Sequence, residues 1–427
     1  MAVIDSIDDN LTLTGTPESI DQINSGFYSK FPFPWRPRSL DYTSDPDLAR
    51  VMLNQNLGDW KHQMVPPDPH VWVAGCGTNQ AAITALHFRQ AAVLGSDIST
   101  SSLELCASTA RDLGCGNLEL RNESINQTDY RQQFDYVICT GVIHHNADPE
   151  ATLRKLAAAL KPSGVLELMV YNRYHRILSS AFQKGVRLLG EADGASLDFE
   201  REFAITRLLI ENFPGQGLLR QFVSKFKESP AAEIADALMQ PVENSYTVEV
   251  LEEMAGRCGL EFVAPSPNAW DRASGHGTWN MRFAQAEIQK PYDQLPDSQR
   301  WQITNLLLCE QSPLLWFYLK RKDSPTSRKT EQEICDSFLQ ARFQPTAVTR
   351  RAYILNRDNK FAQTTSALPY PGAPARREIR QIVEAMGNGA SMEQVMNSLQ
   401  ISREFSTVND LRLRLTTSAN PYLRSIP

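Results

Sequence analysis

Two short groups of residues in the first hundred positions have the types and spacing needed to bind a nucleotide. Residues 71–74 lead directly into Gly75 and Gly77, and Asp97 follows Gly75 by 22 positions. Glycines allow bare backbone to approach a ligand and to offer N–H donors at the start of a helix. An acid ~20 residues further on accepts hydrogen bonds from ribose hydroxyls. The pattern therefore predicts a ribose-containing ligand between Gly75 and Asp97.

The elements that must position these residues follow from hydrophobic periodicity. Residues 71–74 are predicted to end a buried strand, and 91–98 to form a second strand with Asp97 at its carboxyl end. The remaining predicted elements are strands at 117–121, 134–140, 165–171 and 260–264 and helices at 46–62, 80–87, 100–113, 149–160 and 248–259. Alternating strands and helices predict an α/β fold with a doubly wound parallel sheet. Ligands of such sheets lie beyond the carboxyl ends of the strands.

Composition and cysteine spacing limit the class of protein. The 427 residues indicate two or three domains, with 42% hydrophobic and 22% charged residues and a net charge of −6. Seven dispersed cysteines without a CxxC pair argue against a disulfide framework or a zinc site, so no metal is expected. No apolar run of ~18 residues and no signal peptide are visible. We therefore expect a cytoplasmic protein without a membrane span.

The predicted domain order is an N-terminal arm and lid at 1–65, a ligand-binding domain at 66–289 and a C-terminal domain at 290–427. Residues 1–26 are expected to be loosely docked. The aromatic segment 27–38 has prolines at 32, 34 and 37, which are expected to keep it extended. It either packs on the surface or forms a lid over the ligand. Helical patterns within 172–240 predict a cap inserted after the fifth strand, and 278–284 are predicted to supply the last strand.

The C-terminal domain is predicted to be mainly helical. Helical patterns at 298–309 and 331–342 precede a hairpin at 352–361 and a rigid proline-rich linker at 368–374. Residues 376–386 and 391–399 resemble a short helix–turn–helix or winged helix. Residues 321–427 carry 16 Lys/Arg and 10 Asp/Glu, a charge of +6 that leaves −12 for 1–320. This element could contact nucleic acid or a second copy of the chain, and we favour the homodimer.

The chain resembles class I S-adenosylmethionine-dependent methyltransferases, and in particular bacterial members with an Ala-Gly-Cys-Gly-Thr motif and an aromatic, proline-containing arm. The matching stretches are 74–78, Asp97, 134–138, 141–149, 160–164 and 236–248. The resemblance covers about 27–285. It implies a Rossmann-like sheet and S-adenosyl-L-methionine as the cofactor.

The resemblance also implies the residues that bind the cofactor: Gly75, Cys76, Gly77, Asn79, Gln80, Asp97, Ile98, Ser124, Ile125, Thr140 and Gly141. By position, Ser124 and Ile125 would flank the adenine, and Thr140 and Gly141 would face the methionine end. Many relatives have an acid where Ala74 stands, so the contact to the methionine ammonium must come from elsewhere. Asn79 replaces the usual third glycine, and asparagine tolerates a positive φ better than most residues. For Asp97, the alternative role is to cap helix 100–113.

Methyl transfer from a sulfonium is an in-line displacement, which depends on positioning and exclusion of water. Hydroxyl or protonated amine acceptors also need a base, and His144 and His145 are the candidates. At most one of them is expected to face the acceptor, and both could be structural. Tyr171 is the next catalytic candidate. Tyr28, Trp35, Arg173 and Tyr174 are candidates for the lid and the acceptor pocket, although Arg173 and Tyr174 could simply begin the cap helix.

Three other functions use parts of the same pattern. A nicotinamide dehydrogenase begins with the same strand, glycine turn and helix. A nucleic-acid-associated methyltransferase or regulator would use the basic C-terminal element, although residues 1–320 are acidic. A cofactor-binding protein without catalysis is the third alternative. We expect a small-molecule or peptide acceptor and neither nucleic acid nor a membrane as a partner.

Overall fold

The computed structural model describes residues 11–12, 15–191, 198–268, 279–308, 311–386 and 389–427. The strands are β1 Leu11–Thr12, β2 Ser39–Thr43, β3 His70–Ala74, β4 Ala92–Asp97, β5 Leu118–Asn122, β6 Phe134–Thr140, β7 Leu160–Tyr171, β8 Val242–Glu243, β9 Leu260–Pro265, β10 Leu314–Arg321, β11 Phe343–Pro345, β12 Val348–Leu355, β13 Phe361–Gln363, β14 Leu368–Tyr370, β15 Asn420–Pro421 and β16 Leu423–Ser425. The helices are α1 Pro17–Lys30, α2 Leu48–Asn56, α3 Gln80–His87, α4 Thr100–Leu113, α5 Pro149–Ala159, α6 Arg173–Gly190, α7 Phe199–Asn212, α8 Leu218–Ser224, α9 Ala231–Leu238, α10 Val248–Arg257, α11 Ala286–Asp293, α12 Asp297–Leu307, α13 Glu331–Gln340, α14 Arg377–Ala385, α15 Met392–Ser398 and α16 Phe405–Thr416.

The central layer is a seven-stranded sheet built from the described strands in the order β5-β4-β3-β6-β7-β10-β9. The first five strands of this order are parallel, and β10 is antiparallel to both β7 and β9. The predicted Rossmann-like doubly wound sheet is confirmed, since buried helices α3 and α4 lie on one face and α5 and α10 on the other. The sheet places the carboxyl ends of β3, β4, β6 and β7 along one edge.

The last strand of the sheet was predicted in the wrong place. The described part of 278–284 forms no strand, whereas 314–321 enter the sheet between β7 and β9. The sequence Leu-Leu-Trp-Phe-Tyr-Leu there is apolar because both faces of β10 are covered. The sheet therefore extends beyond the predicted boundary at 290. Residues 161–164, which lie between the predicted helix 149–160 and the predicted strand 165–171, belong to β7, which has a register irregularity opposite Phe134–Tyr136.

The N-terminal segment is more ordered than the sequence suggested. Residues 17–30 form α1, which begins at Pro17 with the Thr16 hydroxyl accepting from Ser19 N–H. The prediction that 1–26 are loosely docked and that 27–38 are wholly extended was therefore wrong within the described residues. The first proline that a helix cannot tolerate is Pro32, so the chain becomes extended only after Lys30.

The predicted helical cap is present as α6 to α9, which share a small apolar core. Helix α1 packs against this cap through Phe27 and Phe31, which meet Ala235 and Met239 of the α9 region. It also reaches the sheet domain through hydrogen bonds, including Asn24 Nδ2 donating to His145 O at 2.7 Å. Helix α1 thus packs against the cap and covers the carboxyl edge of the sheet.

The C-terminal part contains the predicted hairpin, β12 with β13, and helices α13 to α16 around a separate apolar core. The predicted linker at 368–374 is in part a strand, because β14 pairs with β12. On its other edge β12 pairs with β2 from the N-terminal part. The described helices include none that is both long and apolar enough to cross a bilayer.

The uneven charge of the sequence has a structural explanation. Basic residues of 321–427 form ion pairs with acids of 1–320, as in Arg350–Asp41, Arg424–Asp45 and Arg328–Asp297. At these three positions, positive charge of the C-terminal part is balanced by acids of 1–320.

Candidate active site

A cavity of about 880 Å³ lies at the carboxyl edge of the sheet. Its floor comes from residues that follow β3, β4, β5, β6 and β7, and its roof from α1, the arm, α6 and α9. The volume lies within the ~300–1,000 Å³ of small-molecule sites. The topology alone predicts a ligand here, because the cavity opens beyond the carboxyl ends of parallel strands.

The glycine turn needs its glycines for space and for backbone conformation. Gly75 has φ +72°, and a Cβ there would lie 2.4 Å from Val142 Cγ2. Gly77 has φ +55°, and its Cβ would lie 2.9 Å from Phe33 O. The turn is therefore pressed between the loop after β6 and the aromatic arm, with its backbone facing the cavity.

The arm is fastened to the same turn by side chains that follow the glycines. The Thr78 hydroxyl donates to Pro34 O, and Asn79 Nδ2 donates to Trp35 O at 3.3 Å. Asn79 has φ −155°, so the prediction that it replaces a glycine by adopting a positive φ was wrong. The arm lines the cavity through Phe33 and Pro34, while the Trp35 side chain is 53% exposed and lies outside it.

Asp97 lies at the end of β4 and faces the cavity. Its Oδ2 accepts from Gly77 N–H and its Oδ1 from Ser99 N–H, each at 2.8 Å. Burial raises the pKa of the Asp97 carboxyl, and these N–H donors oppose that rise. The alternative that Asp97 caps α4 was wrong, since Ser99 is the cap and its hydroxyl accepts from Ser102 N–H. A carboxylate has about four acceptor sites, so Asp97 can still bind hydroxyls.

Side chains at the ends of β5 and β6 hydrogen-bond the floor of the cavity to helices α1 and α3. Ser124 Oγ donates to Asp21 Oδ2 of α1 at 2.5 Å, and Gln80 Nε2 donates to Thr140 Oγ1 at 2.7 Å. Burial raises the pKa of Asp21, which lines the cavity and was not identified from the sequence. Gly141 has φ +80°, which keeps the backbone after β6 free of a side chain.

The cavity brings together all residues predicted to bind the cofactor: Gly75, Cys76, Gly77, Asn79, Gln80, Asp97, Ile98, Ser124, Ile125, Thr140 and Gly141. Their roles stay predictions. Of the lid and acceptor candidates, Tyr28 and Tyr171 line the cavity. Arg173 and Tyr174 do not; Arg173 instead donates to Ser245 O at the start of α6.

The two histidines have different environments. His145 lines the cavity, and its Nδ1 is 2.7 Å from Val242 O, which accepts only if Nδ1 carries the proton. That tautomer leaves Nε2 as a potential acceptor. Burial lowers the pKa of His145 to about 4. His144 is sealed behind it, with neither ring nitrogen hydrogen-bonded within the described residues. The expectation that at most one histidine faces the acceptor agrees with this arrangement.

The far end of the cavity contains charged residues that the sequence did not identify. Arg176 of α6 forms a buried pair with Glu243, donating from Nε at 2.7 Å and from Nη2 at 2.5 Å. Its guanidinium lies 4.3 Å from the centre of the Tyr171 ring. Asp236 of α9 also lines the cavity and accepts from Gln240 Nε2 at 3.0 Å. Burial raises the pKa of Asp236 to about 6.

Comparisons with known proteins agree with this geometry. Residues 72–166 match the family model described as a methyltransferase domain. An uncharacterized protein from Synechococcus sp. is 27% identical over 260 residues, which are 58% of this chain and 60% of that protein. The carboxy-S-adenosyl-L-methionine synthase of Shewanella woodyi is 29% identical over 139 residues, 29% of this chain and 53% of that enzyme. The chain thus matches about half of the length of these relatives.

A solved structure resembles nearly the whole fold. The structure of PKMT2 from Rickettsia typhi in complex with AdoHcy covers 92% of this chain and 77% of its own, with a TM-score of 0.55 and 17% identity. At this identity the likeness speaks for the fold. Together with the family match over 72–166, it confirms the resemblance to class I methyltransferases seen in the sequence.

Proposed function

We propose that this chain, which carries a class I S-adenosylmethionine-dependent methyltransferase domain, transfers a methyl group to a small-molecule or peptide acceptor. The observation that supports this proposal most is the single cavity, which joins the turn at Gly75 and Asp97 to a second group of polar residues at Tyr171 and Asp236. A binding protein without catalysis would need only the first group. The second group gives an acceptor a place next to the donor.

The residues of the first group fit the cofactor. Gly75, Gly77 and Gly141 have positive φ and leave the backbone open, and Asp97 retains acceptor sites for ribose hydroxyls. When bound, the cofactor supplies an electrophilic methyl group on a sulfonium. The chain then has to orient the donor and the acceptor in line and to exclude water. Helix α1 and the arm, which cover the turn, would perform that exclusion.

The second group would position the acceptor and take its proton. His145 is uncharged at neutral pH because its pKa is about 4, so Nε2 would be available as an acceptor. Burial keeps the pKa of Tyr171 well above its usual value, so its hydroxyl would stay protonated and act as a donor. His144 has no access to the cavity, and we assign it no catalytic role.

Titration calorimetry tests the cofactor site. We expect S-adenosylhomocysteine to bind and NADH not to bind. Asp97→Ala should weaken binding by about 1.5–3 kcal/mol for each charge-assisted hydrogen bond that it removes. Asp68→Ala, at an exposed carboxylate outside the cavity, is the matched control. Tight NADH binding without a response to S-adenosylhomocysteine would refute the proposal.

Catalysis needs its own test because the acceptor is not yet identified. The protein would be incubated with cell extract and methyl-labelled S-adenosylmethionine, and the labelled products would be identified by mass spectrometry. The Asp97→Ala variant serves as the background. Labelled product that forms only with the wild-type chain supports transfer, and donor binding without any labelled product would favour a non-catalytic binding protein.

A further inference from the structure

One carboxylate at the acceptor end is only partly neutralised by the nearest cation, Arg176. Among the described residues Asp236 has no ion-pair partner within 4.0 Å, and its neighbours are the Gln240 amide and the Tyr171 hydroxyl. Arg176 is nearby, but it forms two short hydrogen bonds with Glu243. Two carboxylates therefore share one guanidinium. A half-buried carboxylate whose charge is only partly compensated makes this wall of the cavity complementary to a cation.

Besides Arg176 and Glu243, the groups around Asp236 are neutral hydrogen-bonding side chains and aromatic rings. Tyr28 of α1 lines the cavity, and its hydroxyl accepts from the Nε2 of Gln240 that also donates to Asp236. Burial keeps the pKa of Tyr28 and Tyr171 well above the usual value, so neither hydroxyl ionises near pH 7. The Tyr171 ring contacts Arg176 and His144, and the Tyr28 ring packs edge-on against Phe27 while Tyr28 lines the cavity. A carboxylate next to a tyrosine ring is a favourable site for an ammonium group.

We propose that the methyl acceptor is a protonated aliphatic amine whose ammonium group binds between Asp236 and Tyr28. This inference rests on the methyl transfer proposed above and names the class of its acceptor. A neutral hydroxyl acceptor would leave the Asp236 charge unbalanced, and an anionic acceptor would be repelled by Asp236.

The same carboxylate can perform the chemistry that an amine requires. An ammonium nitrogen has no lone pair, so one N–H proton must first pass to the Asp236 carboxylate. The freed lone pair then forms a bond to the donated methyl carbon, whose bond to sulfur breaks with both electrons remaining on sulfur. The products are a methylated ammonium, a neutral thioether and a protonated Asp236. With a pKa of about 6, Asp236 is ionised at neutral pH and is basic enough to accept a proton.

A simple cation tests the inference without knowledge of the full acceptor. The full-length chain saturated with S-adenosylhomocysteine would be titrated with n-butylammonium, n-butanol and butyrate, with binding followed by saturation-transfer NMR. We expect n-butylammonium to bind, and Asp236→Asn to weaken it at least tenfold. Glu233→Gln makes the same chemical change on the same helix outside the cavity and should have no effect. Tyr28→Leu should also weaken binding because it removes the ring.

The outcomes separate this inference from the proposed function. S-adenosylhomocysteine binding and the melting temperature are measured for every variant, so that a folding defect is recognised. If S-adenosylhomocysteine binds but n-butylammonium binds no better than n-butanol or butyrate, or binds equally to Asp236→Asn, the amine inference is wrong and methyl transfer stands. If S-adenosylhomocysteine does not bind at all, both proposals are wrong.

Discussion

The two ends of the cavity are built in different ways. The cofactor end consists of short consecutive stretches, each placed directly after a strand, and its main acid is held by backbone donors from Gly77 and Ser99. The acceptor end consists of single side chains from α1, β7, α6 and α9, which hold one another through Gln240 and the pair of Arg176 with Glu243. Backbone specifies the first end, and contacts between distant side chains specify the second. Changes at the two ends should therefore have different consequences.

The largest expected effect is on stability, at the acceptor end. Arg176→Met leaves Glu243 buried and unpaired, which should lower the free energy of unfolding by about 3–5 kcal/mol. Urea unfolding measures this loss. The double variant Arg176→Met with Glu243→Gln should recover part of it, because position 243 then no longer carries a buried charge. A loss below about 1 kcal/mol in the single variant would show that the pair does not support this end.

The next effect is on ligand affinity, at the cofactor end. Gly75→Ala places a Cβ against Val142 in a residue with φ +72°, so the turn must shift. Such a strained residue costs about 1–3 kcal/mol, so we expect S-adenosylhomocysteine affinity to fall about 10- to 100-fold in calorimetry. Gly116→Ala is the matched control, because a Cβ there meets nothing within 4 Å. Unchanged affinity in Gly75→Ala would contradict a backbone-built site.

The third prediction concerns pH and should give a gain in stability. Burial raises the pKa of Asp236 from 3.8 to about 6 despite the opposing charge of Arg176, while Glu243 adds to the rise and Tyr171 opposes it. Because the pKa of Asp236 is higher in the folded state than in the unfolded state, its bound proton stabilises the fold below about pH 4. This stabilisation is lost as the pH rises through 6. The free energy of unfolding of Asp236→Asn should therefore exceed that of the wild type by up to about 2–3 kcal/mol at pH 7. The two should be equal near pH 3.5. A variant less stable than wild type at pH 7 would contradict the raised pKa.

The smallest effect is expected for His144. His144→Phe removes two buried ring nitrogens that have no partner in the described residues and keeps a ring against Tyr171. The free energy of unfolding should change by only about 1 kcal/mol, because removal of an unsatisfied polar group offsets the cost of fitting the slightly larger phenyl ring. His145→Phe should be more harmful, since Val242 O loses its donor. Melting curves and methyl transfer for both variants test this order, and the reverse order would return His144 to the mechanism.

The sequence predicted the cofactor end residue by residue because its signals are local. A glycine pair after a strand and an acid after the next strand keep their spacing in any sheet of this type. Helices α3 and α4 and strand β6 have the predicted bounds for the same reason, since periodicity and the caps at Ser99 and Gly114 mark their ends. The family resemblance added Ser124, Ile125, Thr140 and Gly141 by position, and all four face the cavity.

The acceptor end could not be predicted in this way. Asp236 was noticed only as the start of a matching stretch, and Arg176 lies one helical turn after Arg173, which points elsewhere. Which of the first residues of a helix points into a cavity depends on how the helix packs. That packing depends on contacts with residues distant in the sequence. Helix α1 was not predicted, although Thr16 and Pro17 form a capping signal, because the prolines from Pro32 onward favour an extended segment.

The late position of the antiparallel strand β10 in the sequence affects how the sheet can fold during translation. Its neighbours β7 and β9 are synthesised by residue 265, but β10 is complete only at Arg321, 56 residues later. At ~5–20 residues per second, two strand edges stay unpaired for several seconds of translation. Exposed edges of apolar strands invite pairing with other chains. Expression of fragments that stop before 321 should therefore give aggregates, and slow or chaperone-assisted synthesis should favour soluble full-length protein.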